Sequence, residues 1–235
     1  MACRLLDSVM KSARIAFIGL LMLVLGLLIV KAAQQGLSDF YALLAQQEID
    51  RGAGSNAQDK DPQWLRTQGY LAEALRYSPR SAWPLEQTTV LQVRRMQAAT
   101  DNTQRIAAAL AAQLGIRALL PERPTLSLSW ANLALAKYTM GETGRELAAA
   151  LANAQELGPW EHNTQIAVIV IGLYVWQHLG PAQQAQLLGT LERAARRNIE
   201  NMAQITKSLK RLDLFCDINY VRLAAIKACM KSASQ

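Results

Sequence analysis

An uncharged apolar run of sixteen residues, Ile15 to Val30, constrains this chain more than any other feature of its sequence. Lys31 can snorkel, and Ala32 and Ala33 extend the run toward the roughly 20 residues that a helix needs to cross about 30 Å of hydrocarbon. In lipid a lone segment can satisfy its own backbone hydrogen bonds only as a helix. The sequence therefore predicts a transmembrane helix over residues 15–33.

The charges that flank this run predict its orientation. Arg4, Lys11 and Arg14 precede the run, whereas the charges after Lys31 are at first acidic. The positive-inside rule then puts residues 1–14 in the cytoplasm and the main domain outside it. With no organelle signal, we expect a bacterial inner membrane and a periplasmic domain. A cleaved signal peptide is the alternative, but its apolar core has only about 7–15 residues and Lys31 interrupts the cleavage position.

The remainder of the chain reads as helix. Hydrophobic residues make up 51% of the sequence but aromatic residues only 6%, so Ala and Leu dominate and favour helices over strands. Residues 34–61 are predicted to form a juxtamembrane helix, with Ser38 as its candidate N-cap, followed by a flexible hinge. Proline, glycine and the candidate N-caps Asp101 and Thr143 then divide residues 62–235. The predicted helices cover roughly 62–77, 82–99, 101–116, 124–140, 143–157, 160–179, 181–205 and 214–232.

Short connections between these helices make successive helices antiparallel. One stretch approximates the tetratricopeptide pattern, and Leu71 to Pro79 resembles the end of a second repeat. The pattern positions are Trp130, Leu133, Ala134, Leu147, Leu151, Ala154 and Pro159. The predicted fold is all-α: an N-terminal transmembrane helix followed by an antiparallel helical-hairpin, tetratricopeptide-like solenoid over residues 62–235. An irregular helical bundle is the alternative.

Sequence motifs of common catalytic sites, such as GxSxG, HExxH, the Walker loop and GxGxxG, are missing. His162 and His178 lie at opposite ends of one predicted helix, about 24 Å apart at about 1.5 Å per residue, and cannot share a metal. Glu142 and Glu146 lie on one helical face, which suits capping better than glycoside hydrolysis. The sequence therefore predicts a protein that is not an enzyme and binds no cofactor.

The net charge of +7 resides at the two ends of the chain, because residues 36–191 are nearly neutral. This distribution argues against a nucleic-acid surface. Basic residues near the C-terminus recur at helical spacing, as in a solvated face or a surface lying against anionic lipid or an acidic partner. They are Arg193, Arg196, Arg197, Lys207, Lys210 and Arg211. Cys216 and Cys229 are either a disulfide, which a periplasm permits, or two buried thiols.

The stretch Leu157-Gly158-Pro159-Trp160-Glu161, with Gln165 and the segment Gly172 to Leu179, resembles the VpsP-like proteins encoded with bacterial exopolysaccharide systems. In those proteins a Gly-Pro-Trp-Glu element precedes a helix that ends near a Trp-x-x-Leu, and one membrane helix precedes degenerate helical repeats. The resemblance implies a non-catalytic component of polysaccharide synthesis or export.

These features together predict a membrane-anchored scaffold that binds other inner-membrane or periplasmic proteins, with polysaccharide machinery as the expected partner. The candidate interaction residues are Trp160, Glu161, Trp176, Arg193, Arg196 and Arg197. For the tryptophans, core packing and a sugar-stacking groove are competing interpretations. Two functional alternatives are an assembly factor for a periplasmic redox enzyme or cytochrome, and a sugar-processing enzyme with an unrecognised active site.

Overall fold

A computed structural model describes residues 2–52 and 62–218, with side chains from residue 17 onward. These residues are all-helical and contain no strand, which confirms the predicted all-α class. The helices are α1 Ala2–Arg51, α2 Pro62–Tyr77, α3 Ala82–Ala98, α4 Asn102–Leu119, α5 Ser127–Thr139, α6 Arg145–Leu157, α7 His162–Tyr174, α8 Pro181–Arg197, α9 Ile199–Ser208 and α10 Leu212–Cys216. A 3-10 turn, Trp176–His178, follows α7.

The first helix, α1, is one continuous helix of 50 residues. Every side chain from Phe17 to Val30 is exposed, and this part of α1 is long and apolar enough to cross a membrane. Further along, α1 buries Ser38, Ala42, Ala45 and Ile49, which recur at helical spacing and face α2 and α3. The apolar run and the helical domain are therefore joined without a break.

This continuity differs from the predicted separation of a transmembrane helix and a juxtamembrane helix. Ser38 does not cap a helix: it lies in the middle of α1, is fully buried, and its hydroxyl has no hydrogen-bond partner among the described residues. Small side chains at Ser38, Ala42 and Ala45 let α2 approach closely, and this packing outweighs the weak helix propensity of serine. Most of the predicted hinge lies outside the described residues.

Consecutive helices from α2 to α9 are joined by short connections and pack against one another. Packing also joins next-but-one helices, namely α1 with α3, α5 with α7, and α6 with α8. The largest buried apolar cluster lies among α4 to α10 and includes Ile116 of α4. A second cluster of mostly small side chains joins α3, α4 and α5, and a third joins α1, α2 and α3. Each helix is thus held mainly by its near neighbours in sequence.

Helix boundaries from α2 to α6 agree with the predicted ones within three residues. Asp101 caps α4 as predicted, because its carboxylate accepts the Gln104 N–H at 3.0 Å. Thr143 is not a cap, since α6 begins at Arg145 after Gly144. The predicted helix 181–205 is two helices: Asn198 leaves the helical conformation and accepts the Asn201 N–H at 3.0 Å.

Candidate interaction surfaces

The turn between α6 and α7 is held by hydrogen bonds to buried side chains of α5 and α7. Glu161 Oε2 accepts from Ser127 Oγ in α5 and from Thr164 Oγ1 in α7, the latter at 3.0 Å. Gln165 Nε2 donates to the Pro159 carbonyl oxygen at 2.7 Å. Ser127, Thr164 and Gln165 are all buried. Glu161 therefore fixes the position of the turn, and its side chain makes no cap to the backbone of α7.

Gly158 lies so close to this network that a side chain cannot fit. A Cβ there would lie 2.5 Å from the Ser127 Cβ, which cannot rotate away. We expect Gly158→Ala to lower the free energy of unfolding by about 2–3 kcal/mol through overpacking. Urea unfolding of the detergent-solubilised protein measures this change. Gly69→Ala is the control: Gly69 lies in α2 with open space around it, and the change should stabilise by about 0.5–1 kcal/mol. Equal effects of the two variants would contradict the packing argument.

Trp160 is the exposed tryptophan of this chain. Its side chain is 72% exposed, whereas Trp64 is buried and the other three tryptophans are half-buried. The Arg193 guanidinium carbon lies 5.8 Å from the centre of the Trp160 ring, at the outer limit of a cation–π contact. Core packing therefore accounts for Trp64, Trp130 and Trp176 but not for Trp160.

The remaining predicted interaction residues divide between two ends of α7. Arg196 and Arg197 are exposed in the last turn of α8, the helix that carries Arg193, and Arg196 pairs with Glu192 at 2.6 Å. Trp176 follows the other end of α7, packs on the main core, and lies 5.4 Å from the Arg211 guanidinium. The structure thus brings Trp160 together with Arg193 and places Trp176 elsewhere.

A buried lysine binds the two carboxylates that the sequence assigned to capping. Lys137 in α5 is 1% exposed, and its Nζ lies 2.8 Å from Glu142 Oε2 and 2.6 Å from Glu146 Oε2. Glu146 also pairs with Arg117 at 2.6 Å. Burial alone lowers the pKa of Lys137, but the hydrogen bonds from both carboxylates outweigh it and the pKa is raised. The Lys137 hydrogen bond lowers the pKa of Glu146. The cluster fixes the α5–α6 turn.

In the first part of α4 the buried side carries small residues and the exposed side carries larger apolar ones. Its buried side in the first three turns consists of small residues, Ala108, Ala109 and Ala112, which pack against α3 and α5. Three larger apolar residues of α4 point outward, and we call them the α4 apolar face. They are Ile106, Leu110 and Leu114, exposed by 41%, 49% and 62%. Large apolar residues usually occupy the core, so this face is a candidate binding surface.

Sequence reasoning missed the α4 apolar face because α4 is apolar nearly all round. The alanines permit a close approach of α3: a Cβ at Gly115 would lie 3.1 Å from Thr89 Oγ1. Only this tight packing decides which side is buried. The spacing of Ile106, Leu110 and Leu114, each four residues apart, was the available signal.

The histidines and cysteines of the chain lie apart from one another where residues 17–52 and 62–218 are described. No group of three His, Cys, Asp or Glu side chains there could hold a metal ion. His162 and His178 flank α7 from opposite ends. Cys216 is half-buried and disulfide-bonded. Because Cys229 lies outside the described residues, its pairing with Cys216 stays a prediction.

No protein-family model matches this chain, and no curated protein is similar to it. The likeness of residues 157–179 to VpsP-like proteins therefore stays a prediction. Within that stretch, contacts that hold the α6–α7 turn account for Gly158, Glu161 and Gln165. The exposed ring of Trp160 has no such structural explanation.

Proposed function

We propose that the protein is a non-catalytic, membrane-anchored scaffold that binds another envelope protein through the α4 apolar face. The arrangement of the first part of α4 carries this proposal: Ala108, Ala109 and Ala112 are buried there, while Ile106, Leu110 and Leu114 are exposed. At the end of α4 the large residues Ile116 and Leu119 are buried in the usual way. Complete burial of a leucine or isoleucine side chain stabilises a protein by about 1.5–3 kcal/mol. Ile106, Leu110 and Leu114 are exposed, so folding of this chain obtains only part of that free energy. A partner that covers the face recovers part of this free energy.

The partner surface that fits is the apolar side of an amphipathic helix. Three apolar residues at four-residue spacing form a ridge that suits a helix laid along it. The nearby cations of α4 are already engaged, since Arg117 pairs with Glu146 at 2.6 Å and Arg105 donates to the Ala99 carbonyl oxygen at 2.9 Å. Apolar contact and not charge therefore selects the partner helix.

Anchoring through α1 suits a scaffold. The exposed apolar part of α1 enters the membrane, and the buried part packs on α2 and α3, so the domain is held at a fixed height. The periplasmic orientation is supported by the basic residues that precede the apolar run. Next-but-one packing and the burial of Leu133, Leu147 and Leu151 support tetratricopeptide-like helical hairpins.

An exopolysaccharide setting for the scaffold rests on the resemblance of residues 157–179 to VpsP-like proteins. Polysaccharide synthesis or export proteins are then the expected partners. The redox-assembly alternative differs from this proposal in the partner alone. The sugar-processing alternative needs an indispensable acidic residue, whereas the scaffold needs the α4 apolar face.

We expect Leu110→Glu with Leu114→Glu to weaken partner binding at least tenfold without loss of folding, because both side chains are exposed and their burial supplies the binding energy. The measurement is photo-crosslinking in cells from a crosslinker at Ile106, followed by mass spectrometry of the attached peptide. Leu65→Glu is the matched control, since Leu65 is 56% exposed on α2, away from this face. A second crosslinker at exposed Glu156 on α6 reports background.

An amphipathic helical peptide of one envelope protein, lost in the double variant alone, would support the scaffold. A polysaccharide-assembly protein supports the exopolysaccharide setting, and a cytochrome or dehydrogenase subunit supports redox assembly instead. Crosslinks to a second copy of this chain, or equal crosslinks from Ile106 and Glu156, would overturn the proposed use of the α4 apolar face.

A further inference from the structure

A cleft of about 530 Å³ that carries two cationic side chains lies where the turn between α2 and α3 meets α1. We call it the Lys31–Arg80 cleft; Lys31 and Gln34 of α1 line one side, and Tyr77, Ser78 and Arg80 line the other. Its two cationic side chains come from separate helical regions, which the fold brings together.

Contacts with α1 hold the turn in place. Ser78 Oγ donates to Gln35 Oε1 at 3.0 Å, and Gln35 Nε2 donates to Ser81 Oγ at 3.2 Å. The Ser81 N–H donates to the Ser78 carbonyl oxygen at 3.1 Å, which closes a turn with proline at its second position. The Tyr77 ring stacks on that of Tyr41, with ring centres 5.9 Å apart. The cleft is therefore a formed feature of the fold.

The cleft has unbalanced positive charge. Neither Lys31 nor Arg80 forms an ion pair with another described residue, and both are exposed. The nearby carboxylate of Asp39, one turn beyond on α1, accepts a hydrogen bond from Gln35 Nε2 at 2.9 Å. Two unpaired cations beside hydroxyl and amide groups suit a phosphate group.

The position of the cleft along α1 identifies the source of that phosphate. Lys31 directly follows Val30, where the uncharged run ends. At about 1.5 Å of rise per residue, Lys31 and Gln34 lie within about one helical turn of the end of the apolar segment. Tyr77 lines the cleft and stacks on Tyr41, and such aromatic residues favour the membrane–water interface.

We propose that the Lys31–Arg80 cleft binds the phosphate of an anionic phospholipid headgroup. Lys31 approaches the phosphate from α1 and Arg80 approaches it from the α2–α3 turn, while the side-chain amide of Gln34 supplies a neutral donor. The bound lipid fixes the domain on the membrane surface at a second point besides α1. This inference rests on the proposed membrane insertion of α1.

The test uses full-length protein in nanodiscs that contain phosphatidylglycerol and phosphatidylcholine at one to four. Native mass spectrometry after release counts the retained lipids. We expect one retained phosphatidylglycerol, and we expect Lys31→Gln with Arg80→Gln to lower the apparent affinity about 30-fold, from about 1 kcal/mol per cation near anionic lipid. Lys207→Gln with Lys210→Gln is the matched control, because it removes two exposed cations from the end of α9. This control should retain the lipid.

Three outcomes would overturn the headgroup site. The first is equal retention by wild type and the Lys31/Arg80 variant. The second is loss of the lipid in the Lys207/Lys210 control, which would assign it to the C-terminal basic face. The third is full displacement by millimolar inorganic phosphate, which would make free phosphate the ligand. Incorporation of the wild type into the nanodisc reports insertion of α1 separately, so failure there concerns the anchor and not the cleft.

Discussion

The double substitution Leu23→Arg with Leu27→Arg is expected to release the protein from the membrane. Each charged residue near the centre of a spanning helix costs about 2.5–3.5 kcal/mol, so the pair costs about 5–7 kcal/mol. Both leucines are exposed, each by 60%, and lie outside the packed part of α1, so the domain should remain folded. Flotation of cell membranes on a sucrose gradient, with immunoblotting of each fraction, measures the redistribution.

The matched control places the same substitutions beyond the apolar run. Leu37 and Leu43 are exposed on α1 by 43% and 47%, so Leu37→Arg with Leu43→Arg should leave the protein in the membrane fraction. The intact mass of the wild-type protein distinguishes an anchor from a cleaved leader. Continued flotation of the Leu23/Leu27 variant would show that hydrocarbon does not hold α1.

The second large effect concerns the buried ammonium of Lys137. Glu142→Gln with Glu146→Gln is expected to lower the free energy of unfolding by about 2–3 kcal/mol, because it leaves the buried ammonium without a carboxylate partner. The effect is smaller than for a pair buried on both sides, since the two carboxylates are about half exposed and the amide oxygens can still accept from Nζ. Urea unfolding of the detergent-solubilised protein, followed by tryptophan fluorescence, gives the value.

Lys137→Met, in contrast, should change the free energy of unfolding little or raise it. It replaces the buried ammonium by an apolar side chain of similar size, and it leaves Glu142 and Glu146, which are 49% and 57% exposed, able to bind water. We therefore expect a stability within about 1 kcal/mol of wild type, or above it. A loss from Lys137→Met as large as that from the double glutamine variant would show that the ion pairs themselves, and not the unpaired charge, dominate.

Acid should act on the same cluster. The pKa of Glu146 is lowered from 4.5 in the folded protein, so its contribution is present above that ordinary value and is lost as pH falls through the folded pKa. The pKa of Lys137 is raised from 10.5, so its contribution is present below pH 10.5 and is lost as pH rises through the folded value. The double glutamine variant should lack the acid-dependent part.

Local signals made most helix boundaries predictable. Asp101 offers a side-chain acceptor to α4, and Pro79 and Pro181 stand beside helix ends, where their missing N–H groups do little harm. The continuity of α1 was not predictable in this way. Ser38 looks like a helix start, but it lies inside α1, where Ala42, Ala45 and Ile49 pack against α2 and α3.

The candidate surfaces were only partly predictable for a related reason. Trp160 stood out because it follows a Gly-Pro turn, but nothing in the local sequence separates it from Trp176, which packs on the core. The burial of Lys137 depends on a carboxylate in the next turn and another in the next helix. On α4, alanine and leucine both read as apolar, and the close approach of α3 decides which faces water.

Because α1 is unbroken, it also fixes the rotational orientation of the domain about the helix axis. Each residue of an α-helix advances the chain by about 100° and 1.5 Å, so the number of residues between the apolar run and Ser38 determines the direction in which α4 points around the membrane normal. One inserted residue would rotate the domain about the α1 axis by about 100°. Seven inserted residues would nearly restore the original orientation and move the domain about 10 Å along that axis. For the proposed membrane-spanning α1, the number of its residues beyond the apolar run would therefore set the orientation in which the domain contacts a partner in the same membrane.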